Sequence, residues 1–242
     1  MYRNKSIFLI VFTLFALTAC SSGNGQTTGK GPIIEKEHAI NKNFSQVTVG
    51  HAWKVELIKS DQNRIIIYAQ ENIQPLVNYE VSNGELKISY KKSTSIKNPP
   101  KDQRIKLYYK ELDEIKVKEA AHVFSEDTLD QRSLTLNASS AGSLDLHLKT
   151  GKTKIDATSA SSIKLSGTSI QTEIKATSAS SVKAEDLKTK VAKVNTSSAA
   201  TATINVVDEL NAKASSGSSI RYTGSPKATE IQNDLSSSIK QK

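Results

Sequence analysis

Cysteine and large aromatic side chains are scarce in this chain of 242 residues, which has one cysteine, one methionine and one tryptophan. A single cysteine excludes a disulfide within the chain. Three of the five phenylalanines, Phe8, Phe12 and Phe15, lie in the first twenty residues. The rest of the chain must therefore build its core from valine, isoleucine, leucine and alanine, and such a composition favours strands.

Long apolar runs are also scarce. One run extends from Ile7 to Leu17, after a basic start that contains Arg3 and Lys5. It is too short to cross the hydrocarbon core of a bilayer, which needs about 20 residues, and no later segment could cross one. A basic start, a short apolar run and small residues after it are typical of a secretory signal peptide.

The four residues from Leu17 to Cys20 (LTAC) resemble the lipobox of bacterial lipoproteins. In such proteins the cysteine thiol receives a diacylglycerol, the leader is removed, and the freed amine takes a further acyl chain such as palmitate. Each buried methylene contributes about 0.8 kcal/mol, so two or three chains hold a protein on a membrane. We therefore predict a signal peptide over residues 1–19 and lipidation of Cys20, which places the protein in the cell envelope, on the outer membrane, with the membrane face left open.

Residues 20–31 contain no apolar residue after the cysteine and are rich in glycine, serine and threonine, which predicts a flexible tether. The remaining residues, 32–242, have the length of one sizeable domain. The formal net charge of +9 is spread along the chain and indicates a solvated surface. Nucleic acid is not an expected partner, because basic residues are not interleaved with exposed aromatics.

The second half of the chain repeats one nine-residue pattern about every 19 residues. The six copies are Leu136–Leu144, Ile155–Ile163, Ile174–Val182, Val194–Ala202, Ala212–Ile220 and Ile231–Ile239. Each copy begins and ends on an apolar residue, and apolar or small residues alternate with mostly polar ones, as in IDATSASSI. This alternation predicts strands with one buried face, and the small residues in the middle mark tight bends.

A repeat of this length with no helical stretch fits one coil of a parallel β-solenoid, in which coils stack about 4.8 Å apart and equivalent residues form columns. A disordered stalk has a similar composition, but it has no reason to keep two apolar columns eight residues apart in every copy. We therefore predict an all-β fold, a parallel β-helix or solenoid with coils of about 19 residues, regular over residues 134–242.

The first half of the domain is strand-rich but shows no clear repeat, so irregular coils are predicted over residues 32–123. Within them, VNYEVSNGELKISYKK (residues 77–92) predicts a β-hairpin, because apolar and polar residues alternate on both sides of Asn83-Gly84. Asn-Gly is the preferred pair for a type I′ turn. The segment Ile115–Val123 resembles a degenerate copy of the repeat and joins both parts into one domain.

Three segments are similar to a known family. They are FSQVTVGHAWKVELIKSDQNRIIIYA (44–69), NYEVSNGELKISYKK (78–92) and RYTGSPKATEIQNDLSSSIK (221–240). Together with the serial small-residue turns, they resemble the auto-transporter adhesin head GIN domain family, DUF2807, of lipoproteins and other exported proteins of Bacteroidetes-type bacteria. The resemblance covers essentially the whole mature chain and implies a β-solenoid exposed outside the inner membrane.

The turns of the repeat depart from that family. Its members tend toward Ser-Gly-Ala-Gly, whereas this chain has Ser-Ser-Ala-Gly at residues 139–142 and Thr-Ser-Ala-Ser at residues 158–161. Glycine adopts a left-handed backbone readily, and serine and alanine do not. We therefore expect these turns to use ordinary backbone angles.

No catalytic, cofactor-binding or metal-binding residue is predicted. The four histidines, His38, His51, His122 and His147, lack the spacing of metal ligands. Asp145 shares a strand face with His147, but a solvated strand face explains this pair better than acid–base chemistry does.

Two further features have a structural and a functional interpretation. Trp53 could stack on a sugar, but it alternates with Val55 and Leu57, which favours a core position. Asp127-Thr128-Leu129 resembles the short O-glycosylation signal of Bacteroidetes. Cys20 therefore stays the one predicted site residue.

These observations predict a non-enzymatic lipoprotein of the cell envelope, an adhesin-like scaffold for an extracellular protein or glycan. Two alternatives stay open: a carbohydrate-active enzyme on a β-helix, which is disfavoured because the carboxylates of the repeat do not recur in one column, and a purely structural envelope component. The predicted partners are the membrane, through lipid on Cys20, and a second copy of the chain, through the uncovered edge of the last strand.

Overall fold

The computed structural model describes residues 26–92, 94–97 and 102–242. The chain forms a parallel β-solenoid of about seven turns with coils about 19 residues apart, which confirms the predicted fold class. Within the described ranges, no helix has the length and apolarity needed to cross a bilayer. The predicted signal peptide and Cys20 lie outside the described residues.

Five long strands form the regular part of the solenoid, and each pairs in parallel with the next. They are β11 (His122–Ala138), β12 (Ser143–Ala157), β13 (Ser162–Ala176), β14 (Ser181–Thr196) and β15 (Thr201–Ala214). The first predicted apolar column is buried and in register, with each side chain at most 1 % exposed: Leu136, Ile155, Ile174, Val194 and Ala212. Equivalent side chains of successive coils therefore stack directly on one another in a narrow core.

Three short strands form the end of the solenoid: β16 (Ser219–Thr223), β17 (Ala228–Asn233) and β18 (Ser238–Gln241). β16 and β17 belong to one coil, since both pair with β15, and β18 begins the next coil, since it pairs with β16. Ile231 is in register with Ala212 but is 42 % exposed, because no later strand of the described chain covers it. The last copy of the repeat thus has the predicted strands, but its first column is not buried.

Shorter strands form the first coils: β2 (Ile33–Ala39), β3 (Gln46–Val49), β4 (Lys54–Lys59), β5 (Arg64–Gln70), β9 (Arg104–Tyr109) and β10 (Glu114–Val117). In these coils, β10 lies between β3 and β11, and β4 lies between β9 and β11, all in parallel. β5 runs antiparallel to both β2 and β9. The irregular coils thus continue the solenoid and add antiparallel strands to the same sheet.

The predicted hairpin is confirmed. It consists of β6 (Val77–Ser82), which follows a 3-10 turn over Gln74–Leu76, and β7 (Glu85–Tyr90). Asn83 and Gly84 both have positive φ, 51° and 75°, as a type I′ turn requires. Because β7 also pairs with β3, the hairpin extends the main sheet.

The predicted tether is corrected at its end. Thr27–Thr28 form a short strand, β1, that pairs in parallel with β8 (Ile96–Lys97). The amide of Lys30 donates to the side-chain oxygen of Asn72 over 2.8 Å. The prediction relied on missing apolar residues, but backbone hydrogen bonds hold this segment on the domain before Pro32.

The predicted turn conformation is wrong. Ser159 and Ala160 have φ of 54° and 58°, the left-handed backbone that glycine favours. The amide of Ser161 closes the turn on the carbonyl of Thr158 over 3.3 Å, and the amide of Ala141 donates to the carbonyl of Ser159 over 3.0 Å. The turn is therefore stabilised from the neighbouring coil. Positive φ recurs at Glu119-Ala120, Ser140-Ala141, Ser178-Ala179, Ser198-Ala199 and Ser216-Gly217.

Buried hydroxyl groups fill one inner corner of the regular coils. The hydroxyls of Thr150 and Thr153 are 2.7 Å apart, and those of Thr172 and Thr189 are 2.6 Å apart. Each of these four hydroxyls thus has a partner in the same or the next coil, as is usual for buried polar groups. These side chains are small, so the coil turns tightly around them, and Ile170, next to the buried Ser169, lies at the surface.

Candidate binding surfaces

Each regular coil changes direction at three corners and so presents three outward faces. In the coil of β13 the corners are marked by adjacent residues that are not buried: Ser166-Gly167, Ile170-Gln171 and Ser178-Ala179. We call the face between the second and the third corner the amide–lysine face. Its central column, in register across four strands, consists of Lys175, Asn195, Lys213 and Gln232.

A groove of about 470 Å³ lies on this face at the last coils, and we call it the amide–lysine groove. The whole central column lines it, together with the amide of Asn233 and the hydroxyl-bearing residues Thr177, Ser197 and Ser215. Amide groups both donate and accept hydrogen bonds, and ammonium groups donate three. The groove therefore offers hydrogen-bond donors and acceptors on successive coils.

Two lysines, Lys175 and Lys213, line the groove. Lys175 and Lys213 flank Asn195 in register, so their strands lie about 10 Å apart. Neither lysine forms a salt bridge within the described part of the chain. Both ammonium groups thus stay available to a ligand.

Asp234 is the carboxylate among the described residues that line the groove, and it is already engaged. It accepts hydrogen bonds from the amide of Ser216 at 2.9 Å and from the amide and hydroxyl of Ser236 at 3.0 and 2.9 Å. The Ser216 amide, with the hydroxyls of Ser237 and Ser236, lowers the pKa of Asp234 to about 2. The residue therefore caps the last left-handed turn as an anion.

The same face is internally paired in the first coils. Asn137 donates to Glu114 over 2.7 Å, and Lys116 lies 2.9 Å from that carboxylate. Thr48 donates to Glu85 over 2.6 Å, and this hydrogen bond is the main reason that the pKa of Glu85 is lowered. Polar groups that are free for a ligand therefore concentrate at the other end, in the amide–lysine groove.

Asp145 and His147, which the sequence suggested as a possible acid–base pair, contact different residues. His147 contacts the hydroxyl of Ser166 at 2.8 Å, and Asp145 pairs with Lys164 at 3.4 Å. Across the described ranges, no group of three or more histidine, cysteine, aspartate or glutamate side chains is placed to hold a metal ion.

His122 is held in place by a hydrogen bond and by ring stacking. Its Nδ1 lies 2.8 Å from the hydroxyl of Ser143, and its ring stacks on Phe124 with centroids 5.6 Å apart. Burial, followed by the charge of Lys54, lowers the pKa of His122. The neutral ring is thus the form that fits this surface.

Trp53 is a core residue, as predicted. It is 1 % exposed and packs against Tyr90 with ring centroids 5.1 Å apart. Thr128, in the segment that resembles a glycosylation signal, is exposed beside an irregularity in the pairing of β11 with β12.

Sequence reasoning did not identify the amide–lysine groove. A usable signal was present, because Lys175, Asn195, Lys213 and Gln232 occupy one position of the repeat. The repeat does not show whether Lys175 and Lys213 form salt bridges, because that depends on the side chains of neighbouring coils.

The fold and this surface define a class: a parallel β-solenoid that presents an extended polar flank with a groove near its end. The chain belongs to the DUF2807 family, described as putative auto-transporter adhesin, head GIN domain, whose sequence model matches residues 43–226. The predicted resemblance is therefore confirmed.

Several solved structures share the fold. A putative adhesin from Bacteroides fragilis is 21 % identical, with 89 % of this chain and 100 % of that chain covered and a TM-score of 0.83. A putative adhesin from Parabacteroides merdae is 20 % identical, with coverage of 90 % and 99 % and a TM-score of 0.70. A putative lipid binding protein from Parabacteroides distasonis is 20 % identical, with coverage of 90 % and 100 % and a TM-score of 0.72. No functionally curated protein matches the chain.

Proposed function

We propose that this protein is a non-enzymatic, lipid-anchored binding scaffold of the cell envelope, whose amide–lysine groove binds glycans, free or carried by a protein. The observation that carries the proposal is the row of two unpaired lysines and two amides in one column of the groove. The family description as putative auto-transporter adhesin, head GIN domain, and the description of two structural neighbours as putative adhesins, support a binding role.

The chemistry of the groove favours sugars. Hydroxyl-rich ligands need donors and acceptors in alternation, and the amides of Asn195 and Gln232 supply both. Lys175 and Lys213 add positive charge, so uronates and sulfated sugars should bind better than neutral ones. A stacked array of coils repeats these groups along the chain direction of an oligosaccharide.

The state of Asp234 argues against catalysis in the groove. Glycoside hydrolysis ordinarily uses two carboxyl groups, one of them protonated near neutral pH. Asp234 is held as an anion by its hydrogen bonds, with a pKa of about 2, so it is not a general acid.

The anchor is proposed from the leader. Leu17 to Cys20 support lipidation, and the outer membrane is the proposed place of the protein. Labelling of cells with radioactive palmitate is expected to mark the wild-type protein and to leave Cys20→Ala unmarked. Label retained by Cys20→Ala would overturn the anchor without bearing on the groove.

The binding role is tested with a panel of oligogalacturonates, heparin fragments, maltohexaose and extracellular matrix proteins. The purified protein is expected to bind acidic oligosaccharides reversibly and to release no product from them. Product release would support the carbohydrate-active enzyme, and the absence of binding to every member of the panel would support a structural component.

A further inference from the structure

A second groove lies at the second corner of the regular coils, away from the amide–lysine groove. It has a volume of about 740 Å³, and we call it the corner groove. It extends over β11 to β15, which at about 4.8 Å per strand corresponds to roughly 19 Å. Its main lining residues are Arg132, Lys149, Gly151, Ile170, Lys188 and Lys190.

The floor of this groove contains an exposed isoleucine. The pairs on either side of Gly151 place it between Arg132 and Ile170, and a side chain at Gly151 would meet the carbonyl oxygen of Arg132 at 2.7 Å. Ile170 is 53 % exposed, compared with 42 % for Ile231. Val207 lines the same groove further along. Large side chains with this exposure at a concave site are typical of ligand-binding surfaces.

The rim of the groove is cationic. Arg132, Lys188 and Lys190 form no salt bridge with any described residue, whereas Lys149 pairs with Asp130 at 2.8 Å. Lysine stems are apolar up to the ammonium group, so they extend the apolar wall while their charges stay at the edge. The groove thus joins an apolar floor to a positive border.

We propose that the corner groove binds a single-chain anionic amphiphile, with its alkyl chain along Gly151 and Ile170 and its anionic head at Lys188 and Lys190 on the next strand, β14. The charge of the rim selects the anion, and a length of roughly 19 Å suits an extended alkyl chain. This site is separate from the glycan groove, so either proposal can fail without the other.

Isothermal titration of the purified protein with sodium dodecanoate, below its micelle concentration and without detergent, tests the proposal. Saturable binding at one site is expected. Ile170→Asp should weaken it about tenfold or more, because the charge occupies the apolar floor. Ile231→Asp is the matched control, since Ile231 is 42 % exposed in the last coil and should leave the affinity unchanged.

A second variant keeps the test independent of Ile170. Lys188→Gln with Lys190→Gln should weaken dodecanoate about tenfold and leave 1-dodecanol unaffected, and dodecyltrimethylammonium should bind the wild type poorly. Absence of saturable dodecanoate binding would overturn the proposal, as would equal effects of Ile170→Asp and Ile231→Asp. Binding of the protein to vesicles of phosphatidylglycerol through Ile170, without dodecanoate binding, would also overturn it and indicate membrane contact.

Discussion

The backbone amide of Ala160 donates a hydrogen bond to the carbonyl oxygen of Ser178 over 3.0 Å, and both residues have left-handed backbone angles, with φ of 58° and 55°. Ala179 repeats this bond to Ser198 at 2.9 Å, and Ala199 repeats it to Ser216 at 3.0 Å. The turns thus form a ladder along the solenoid. A conformation that is unfavourable for one alanine is held in place by the coils on both sides of it.

The first prediction concerns this strain. Ala160→Gly should stabilise the protein by about 0.5–1 kcal/mol, because glycine relieves the left-handed backbone although it loses more entropy on folding. Ala157→Gly is the control, since Ala157 is fully buried in a strand and its replacement should destabilise the protein by about 1 kcal/mol. Urea unfolding compares the two, and destabilisation by both variants would contradict the strain.

The second prediction concerns the apolar column. Ile174 is fully buried, whereas Ile231 occupies the same repeat position with 42 % exposure. Ile174→Ala should therefore cost about 2–5 kcal/mol of unfolding free energy, and Ile231→Ala less than about 1 kcal/mol. Equal costs in thermal or urea unfolding would show that the last coil is covered in solution or that the column is not stacked as described.

The third prediction concerns Asp234. Its pKa of about 2 lies below the ordinary value of 3.8, so its contribution to the last turn is complete above about pH 4 and is lost as the pH falls toward 2. A carboxyl-carbon NMR titration should give a pKa near 2. Ser236→Ala should raise it, because a hydroxyl donor is removed. A wild-type pKa near 3.8 would contradict the cap.

The fourth prediction concerns His122. Its pKa is lowered in the folded state, so the unfolded chain takes up the proton first, and stability falls as the pH drops below about 6.5. His122→Asn should reduce the difference in urea midpoint between pH 7 and pH 5. A difference that is unchanged in His122→Asn would contradict this account.

The buried columns were predictable because apolar residues recur at one position of every regular coil. Ile155 and Ile174 are neighbours in space for the same reason that they match in the repeat. The left-handed turns were not predictable from composition, because serine and alanine disfavour positive φ and the stabilising bond joins different coils. The strand at Thr27–Thr28 was not predictable either, because it pairs through backbone groups with Ile96–Lys97, far along the chain.

The two grooves were predictable in part: the sequence predicts their residue columns but not their side-chain contacts. Gly151 beside Ile170, and Lys175 beside Asn195, follow from the repeat register. Whether such a row is free or paired depends on side-chain contacts that register does not give, and in the first coils Glu114 already accepts from Asn137 on the same face.

The most direct test of the binding role is a titration of oligogalacturonate into two double variants, followed by affinity measurement. Lys175→Ala with Lys213→Ala removes the two positive charges of the amide–lysine groove, whereas Lys164→Ala with Lys183→Ala removes two outward lysines from another face of the solenoid. We predict binding about tenfold weaker for the first variant and unchanged for the second. Equal affinity of both variants and the wild type would contradict the assignment of glycan binding to this groove.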